Sequence, residues 1–467
     1  MFRTLRFTLG ALGALLTLEA QASSLPSQIN DLLEKQPYPI HVGIVVQSAS
    51  SGKILYEKNS DQLFMPASVQ KLLTAVSALS FLGPEYRYET LALADGPIKE
   101  GVLNGNLVVK FSGDPLLSTH DLRDLIKQTG LKKITGQVYI DNYDYGSIPY
   151  GAGWGWEDLS YAYAAPMNAI IIDNNSFVMD IIPGELHKPA KLQPRLPPDV
   201  IKVNNYLITT TGKETCPITI YSSQHNEYDI NGCLEKRLGV QHRELAIREP
   251  AIYARYTLMH VLRENGTQVN GDVVIHSVPP QATVIATHFS PPLRLLVKKM
   301  LKKSDNMIAD SLLERLGAQY FKSRGTWING SKAVKSILTH ATGIDFSHNL
   351  IVDGAGLSRY NLLTPLQLSK VLDYGYKNQH ITNELFEALP IAGKDGTLAY
   401  RMKNLLHHTD VRGKTGTMTG ISALSGYIRT RDDTLIYVIM MNDYVGKPKR
   451  YKHLQDEICK LLVEYGY

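Results

Sequence analysis

Cysteine is nearly absent, with three residues in a chain of 467. A scaffold built on disulfides is therefore excluded, as is a zinc site built on thiolates. Long apolar runs are also missing: beyond the N-terminus no segment approaches the roughly twenty apolar residues that a helix needs to span a bilayer. The net charge is only +5, and with no basic run there is no ground for a nucleic-acid partner. There is no internal repeat and no low-complexity tract. Gly-x-Ser-x-Gly, the usual sign of an α/β-hydrolase, does not occur. The glycine-rich GAGWGW at 151–156 misses the spacing that cradles a dinucleotide, and its tryptophans suit a packed seam between domains. His407-His408 has no third ligand at useful spacing and reads as a solvated loop. No metal and no cofactor is expected.

The N-terminus reads as a secretory signal over residues 1–22: Arg3 and Arg6, an apolar run from Phe7 to Leu18, and Ala20-Gln21-Ala22 before a cut. No cysteine follows the cut to carry a lipid, so export to the periplasm as a protein without a membrane anchor is expected. Cys216 and Cys233 lie 17 apart across a turn-rich stretch and can bridge in an oxidising compartment, leaving Cys459 unpaired in the last helix; the alternative is three reduced, buried thiols.

HVGIVVQ and KILYEK flank a Ser/Gly turn as a hairpin. From about Glu85 to about residue 289 the texture is short alternating strands (NLVVKF, QVYIDN, FVMDII, DVVIHS), interrupted by one helical pattern, Pro250 to Glu264. A helix is then predicted over LRLLVKKMLKKSDNMIADSLLERLG, and helical patterns dominate until two closing strands, ALSGYIRT and DTLIYVIMM, and a helix around Leu454 to Tyr465. The ends thus read as one α/β domain interrupted by a domain-sized β-rich insertion.

The stretch Phe64 to Pro84 carries the chemistry. Val69, Leu72, Leu73, Val76 and Leu79 recur at helical spacing, and Gly83-Pro84 stops the helix. Ser68 and Lys71, three apart, fall on one face. A dehydrated lysine loses basicity and can take the serine's proton, while the helix N-terminus offers free amides to an oxyanion. The same spacing at Ser50 and Lys53 lies in a Ser/Gly turn with no helix to align it. Two further motifs decide between chemistry and coincidence. Ser304-Asp305-Asn306 lies inside the lysine-rich helical pattern, and Lys414-Thr415-Gly416-Thr417 opens a strand. With Ser-x-x-Lys they form, in order, the motif set of penicillin-binding proteins and class A β-lactamases.

The chain resembles the D-alanyl-D-alanine carboxypeptidase/endopeptidase family, the class C low-molecular-mass penicillin-binding proteins. PASVQKLLTA, SGDPLL, YIDNYDY, GWGWEDL, KKSDNMIAD, DGAGLSRYNLLTP, LPIAGKDGTL and GKTGTMTG carry the resemblance over nearly all of the mature sequence. It implies a serine DD-peptidase/β-lactamase-like α/β (α+β) domain, a five-stranded sheet flanked by helices, over 23–85 and 290–467. Two inserted β-rich domains follow from it, one over 86–176 and 244–289 and one nested at 177–243. It also implies acyl transfer from D-Ala-D-Ala peptides or D-amino-acid crosslinks of peptidoglycan to Ser68, with β-lactams as substrate mimics. Lys71 is then the base, Ser304 the proton relay, and Asn306 a holder of substrate amide and lysine. Lys414 and Thr415, with the Thr417 hydroxyl, bind a terminal carboxylate, and the Ser68 and Thr417 amides form the oxyanion hole. Asp141, Tyr145 and Arg359 match a pocket for the zwitterionic end of a diamino acid, and Thr419 stands where some relatives have glutamine. The rival readings are a β-lactamase on the same core, a peptidoglycan-binding protein without turnover, and a secreted esterase.

Overall fold

The computed structural model describes residues 24–36, 40–212, 216–405 and 410–466. The signal-like residues 1–22 and His407-His408 lie outside the described residues.

The two ends of the chain build one sheet. Its order is Asp410–Met418, Ile421–Arg429, Thr434–Asn442, His41–Ser48, Ile54–Lys58, and every neighbouring pair is antiparallel. The predicted hairpin and closing strands are all in it. Thr434–Asn442 is buried at every position, and its period-two alternation feeds two apolar layers. Ile436, Val438 and Met440 face one layer, built on the helices Lys71–Phe81, Leu293–Lys303, Asn306–Phe321, Trp327–Thr342 and Pro365–Lys377. Leu435, Tyr437, Ile439 and Met441 face the other, closed by Leu25–Glu34 and Lys449–Tyr465. A sheet with both faces covered explains why these strands read as nearly continuous apolar runs.

Between the two ends lies the β-rich insertion. A second five-stranded sheet runs Val273–Ile275, Val138–Asp141, Asn106–Lys110, Glu89–Asp95, Thr283–Phe289. Two three-stranded sheets follow from Ser176 to Ala246, and their apolar residues, among them Met179, Leu207 and Tyr228, join Leu107, Ile140 and Leu258 in one cluster. Pro250–Glu264 is helical as predicted. So is Thr119–Thr129, which the strand-like texture concealed: Ser118 and Asp121 form a reciprocal capping box, Gly130 ends the helix in the left-handed region, and Leu122, Leu125 and Ile126 are its buried stripe. Cys216 and Cys233 are joined by a disulfide, and Cys459 is free and buried.

One predicted helix is two. Leu293–Lys303 stops at Ser304, which takes φ 60° and ψ 38°, and a new helix, Asn306–Phe321, starts behind Asp305. The reason is local: the Asp305 carboxylate accepts from the Ile308 N–H at 3.1 Å, a cap that competes with continued helix. Asp305→Ala is expected to lower unfolding free energy by about 1 kcal/mol, read from urea unfolding, with Asp305→Asn retaining most of the cap. Equal stability of Asp305→Ala and the parent would show that packing alone sets the break.

Candidate active site

Ser68 is held in a 3-10 turn, Ala67–Gln70, that leads into the buried helix Lys71–Phe81. Ala67 has φ 46°, a left-handed backbone that costs an alanine about 1–2 kcal/mol. Gly356 packs directly on this turn: a Cβ there would meet the Ala67 carbonyl, and Gly356 itself has φ 80°. On the other side Gly416 of the edge strand lies so close that an added Cβ would stand 3.1 Å from the Ser68 nitrogen. An edge strand has one side without a sheet partner, and here that side runs past Ser68.

The structure brings the three motifs together. Lys71 Nζ stands 3.2 Å from Ser68 Oγ and donates to Asn306 Oδ1 at 2.7 Å and to the Ala355 carbonyl at 2.7 Å. Its amine is buried, which lowers its pKa to about 8 against the opposing pull of Asp310, Asp353 and Asp305. Lys414, also fully buried, donates to Ser304 Oγ at 2.9 Å and to the Thr415 carbonyl at 2.6 Å. Burial first, and then the neighbouring charge of Lys71, drives its pKa well below the ordinary lysine value. Asn306 Nδ2 donates to the Tyr163 carbonyl at 2.7 Å, and Thr415 Oγ1 donates to Thr397 Oγ1 at 2.8 Å.

Ser68, Ser304, Asn306, Thr417, Arg359 and Thr419 open onto one cleft of about 500 Å³. Its chemistry is that of a serine acyl-transfer site: a hydroxyl beside a weakened amine, a second hydroxyl on a second amine, and backbone from a helix start and an edge strand. Direct hydrogen bonds tie together segments far apart in the chain, Lys71 to Asn306 and Lys414 to Ser304.

Residues 25–464 match the D-Ala-D-Ala carboxypeptidase 3 (S13) family. The chain belongs to that family. It is 34% identical over 444 residues to the D-alanyl-D-alanine carboxypeptidase DacB of Haemophilus influenzae, covering 90% of each protein. The crystal structure of penicillin binding protein 4 from that organism superposes with a TM-score of 0.85 at 33% identity, over 94% of this chain and 99% of the other. A second structure of that protein, complexed with a β-lactam, gives 0.81 at 31% identity over the same shares. The fold is thus the penicillin-binding, β-lactamase-like core with inserted domains.

Two expected members of the S13 site lie elsewhere. Asp141 is buried, and its carboxylate accepts from the Tyr143 and Val278 N–H groups at 2.9 and 2.7 Å, the bonding of a turn cap. Tyr145 is buried in the core, donating to the Ser311 carbonyl at 3.1 Å under the Arg315 guanidinium, with its pKa pushed up to about 12 by burial. Neither lines the cleft. The acidic and aromatic residues that do are Glu157, Asp158 and Tyr163. Tyr163 donates to Asp158 Oδ1 at 2.6 Å; burial, then that bond, raises the phenol's pKa. Arg359 lines the same cleft and reaches the Thr419 carbonyl at 3.4 Å. A signal for this pairing does exist in the sequence, because the two carboxylates of GWGWEDL adjoin a tyrosine-rich segment.

Sequence reasoning also passes over Asp353. Its buried carboxylate accepts from the N–H groups of Gly356 and Ser358 at 2.7 and 2.6 Å, Trp154 Nε1 at 2.9 Å and Asn361 Nδ2 at 2.8 Å. Asp310 accepts from the Gly354 and Ala355 N–H groups at 2.8 and 3.0 Å. Together they shape the loop whose Ala355 carbonyl holds Lys71. Asp353→Asn sets an amide N–H₂ against donors, so acylation of Ser68 by penicillin should slow by about tenfold or more as the loop shifts. An unchanged acylation rate with a lowered melting temperature would confine Asp353 to stability.

Proposed function

We propose that this protein is a serine D-Ala-D-Ala peptidase, a carboxypeptidase and DD-endopeptidase of peptidoglycan peptides, working through an acyl-enzyme on Ser68. The observation that carries the reading is the bonding of Lys71. A neutral amine has two N–H donors and one lone pair. With the donors spent on Asn306 Oδ1 and the Ala355 carbonyl, the lone pair is left for the Ser68 hydroxyl.

Lys71 takes the proton as Ser68 attacks the carbonyl carbon of the penultimate D-Ala. The oxyanion is held by the N–H groups of Ser68 and Thr417. Ser304, bonded to Lys414, relays a proton to the leaving amine, and water then cleaves the ester by the reverse path. Lys414, Thr415 and Thr417 receive the terminal carboxylate. An arriving carboxylate raises the depressed pKa of Lys414, so this cation is completed by its substrate. Asp158 and Arg359, which line the cleft together with Tyr163, complement the ammonium and carboxylate at the far end of a diamino-acid side chain. A β-lactam presents its amide carbon to the same hydroxyl, and the β-lactam complex of the Haemophilus relative supports that extension. The arginines and apolar run of residues 1–22 support export to the periplasm, and no helix of the described residues is long and apolar enough to cross a membrane.

Labelled penicillin should add one acyl mass to the peptide containing Ser68, with none on Ser68→Ala; an unmodified Ser68 at saturating drug would overturn the reading. The pH profile has a fixed sign. Below its pKa of about 8 Lys71 holds a proton and cannot accept another, so acylation should rise with pH through about 8 and then level. A stopped-flow rate constant that is flat from about pH 6 to 9 would remove Lys71 as the base. Muropeptide digests complete the test, with loss of D-alanine from pentapeptides and loss of crosslinked dimers both dependent on Ser68.

A further inference from the structure

The two tryptophans of GAGWGW behave differently. Trp154 packs edge-on to Trp327 and bonds Asp353, the seam role its sequence context suits. Trp156 is 69% exposed, and 6.0 Å away, centroid to centroid, stands Tyr221, 51% exposed. Single exposed aromatics are ordinary. This pair is assembled from distant segments. Trp156 sits between Gly155 and Glu157, which line the cleft, whereas Tyr221 comes from the strand Thr219–Ser222 in the nested part of the insertion.

The strand that carries Tyr221 is also held in place. Ser222, next to Tyr221, donates to Ser160 Oγ at 3.0 Å and accepts from Arg248 at 2.8 Å, while Arg248 Nε reaches the Tyr150 hydroxyl at 2.6 Å. Tyr221 pairs with Asp229 in the strand that carries Cys233, and the disulfide to Cys216 closes that strand pair. Two aromatic faces at 59° thus form a corner next to the cleft rim, where Gly155 and Glu157 flank Trp156.

We propose that Trp156 and Tyr221 form a subsite for a pyranose ring of the glycan strand whose peptide enters the cleft. A pyranose offers a C–H face within a rim of hydroxyls; an indole and a phenol offer apolar faces with a polar edge, the same division of surface. The inference rests on the peptidase reading above, because that reading supplies a substrate with sugar attached to its peptide. The corner adds binding energy for glycan-bearing substrate and none for a free peptide.

The test compares two substrates with the same peptide, ending in D-Ala-D-Ala: one free, the other carrying the disaccharide. In Trp156→Ala the ratio of kcat/KM, disaccharide over free, should fall about tenfold, the factor given by one well-packed aromatic contact. Tyr221→Leu should lower it less, and Trp156→Phe should restore part of it. A ratio that stays at the parent value overturns the subsite and leaves the corner as a protein-docking face. Equal loss on both substrates overturns it too, since that is a general disturbance of the cleft. Failure of the underlying reading looks different: the parent protein would hydrolyse neither peptide, and penicillin would leave Ser68 unmodified.

Discussion

A buried amine with three oxygens around it is the constraint that shapes this protein. Removing Lys71 from water disfavours its charge, and the surrounding groups decide where its hydrogens go. Asn306 fixes one direction, Ala355 a second, and Ser68 lies along the third. Each requires its own support. Asn306 is the first residue of a helix whose start Asp305 caps. Ala355 is held by a loop bonded to Asp310 and Asp353 and tied to the central helix by Thr74, whose hydroxyl donates to the Gly354 carbonyl at 2.8 Å. Ala67 and Ser304 both take positive φ where a serine hydroxyl opens onto the cleft, a local cost that a rigid surround can hold against relaxation.

Much of the core is legible in the sequence because its patterns are local. The period of three and four in Lys71–Phe81 and the period of two in Thr434–Asn442 encode which faces are covered, and the motifs on and beside them encode the chemistry. The helix break at Ser304 is hidden because a polar Ser-Asp pair in a lysine-rich helix reads as exposed surface, and only its cap to Ile308 reveals a stop. Thr119–Thr129 is hidden by the strands around it, although Ser118-x-x-Asp121 is a start signal in plain view.

The far end of the cleft is less legible. Asp141 ends a strand with an aromatic nearby, as a pocket acid would, but two backbone N–H groups use its carboxylate. Asp158 and Tyr163 look like loop residues until the fold sets them in one cleft with Arg359. Complementarity of this kind depends on how the insertion meets the core, and no spacing along the chain records that. Asp353 escapes for a related reason: its four partners come from two segments, 154 and 356–361, that only tertiary structure brings together.

The sheet beneath the site has a consequence for how the molecule is made. His41–Ser48 takes its inner neighbour from the other end of the chain, Val45 against Val438. During synthesis from the N-terminus, the first hairpin must wait with one edge unmatched while nearly everything else is delivered. Contacts this distant in sequence form slowly, and an unmatched strand edge is a template for the wrong partner. The insertion can begin to collapse on its own apolar cluster in the interval, whereas the cleft around Ser68 is complete only with the final strands. A C-terminal truncation ahead of Thr434 would leave the serine motif intact in sequence but without the sheet that supports it.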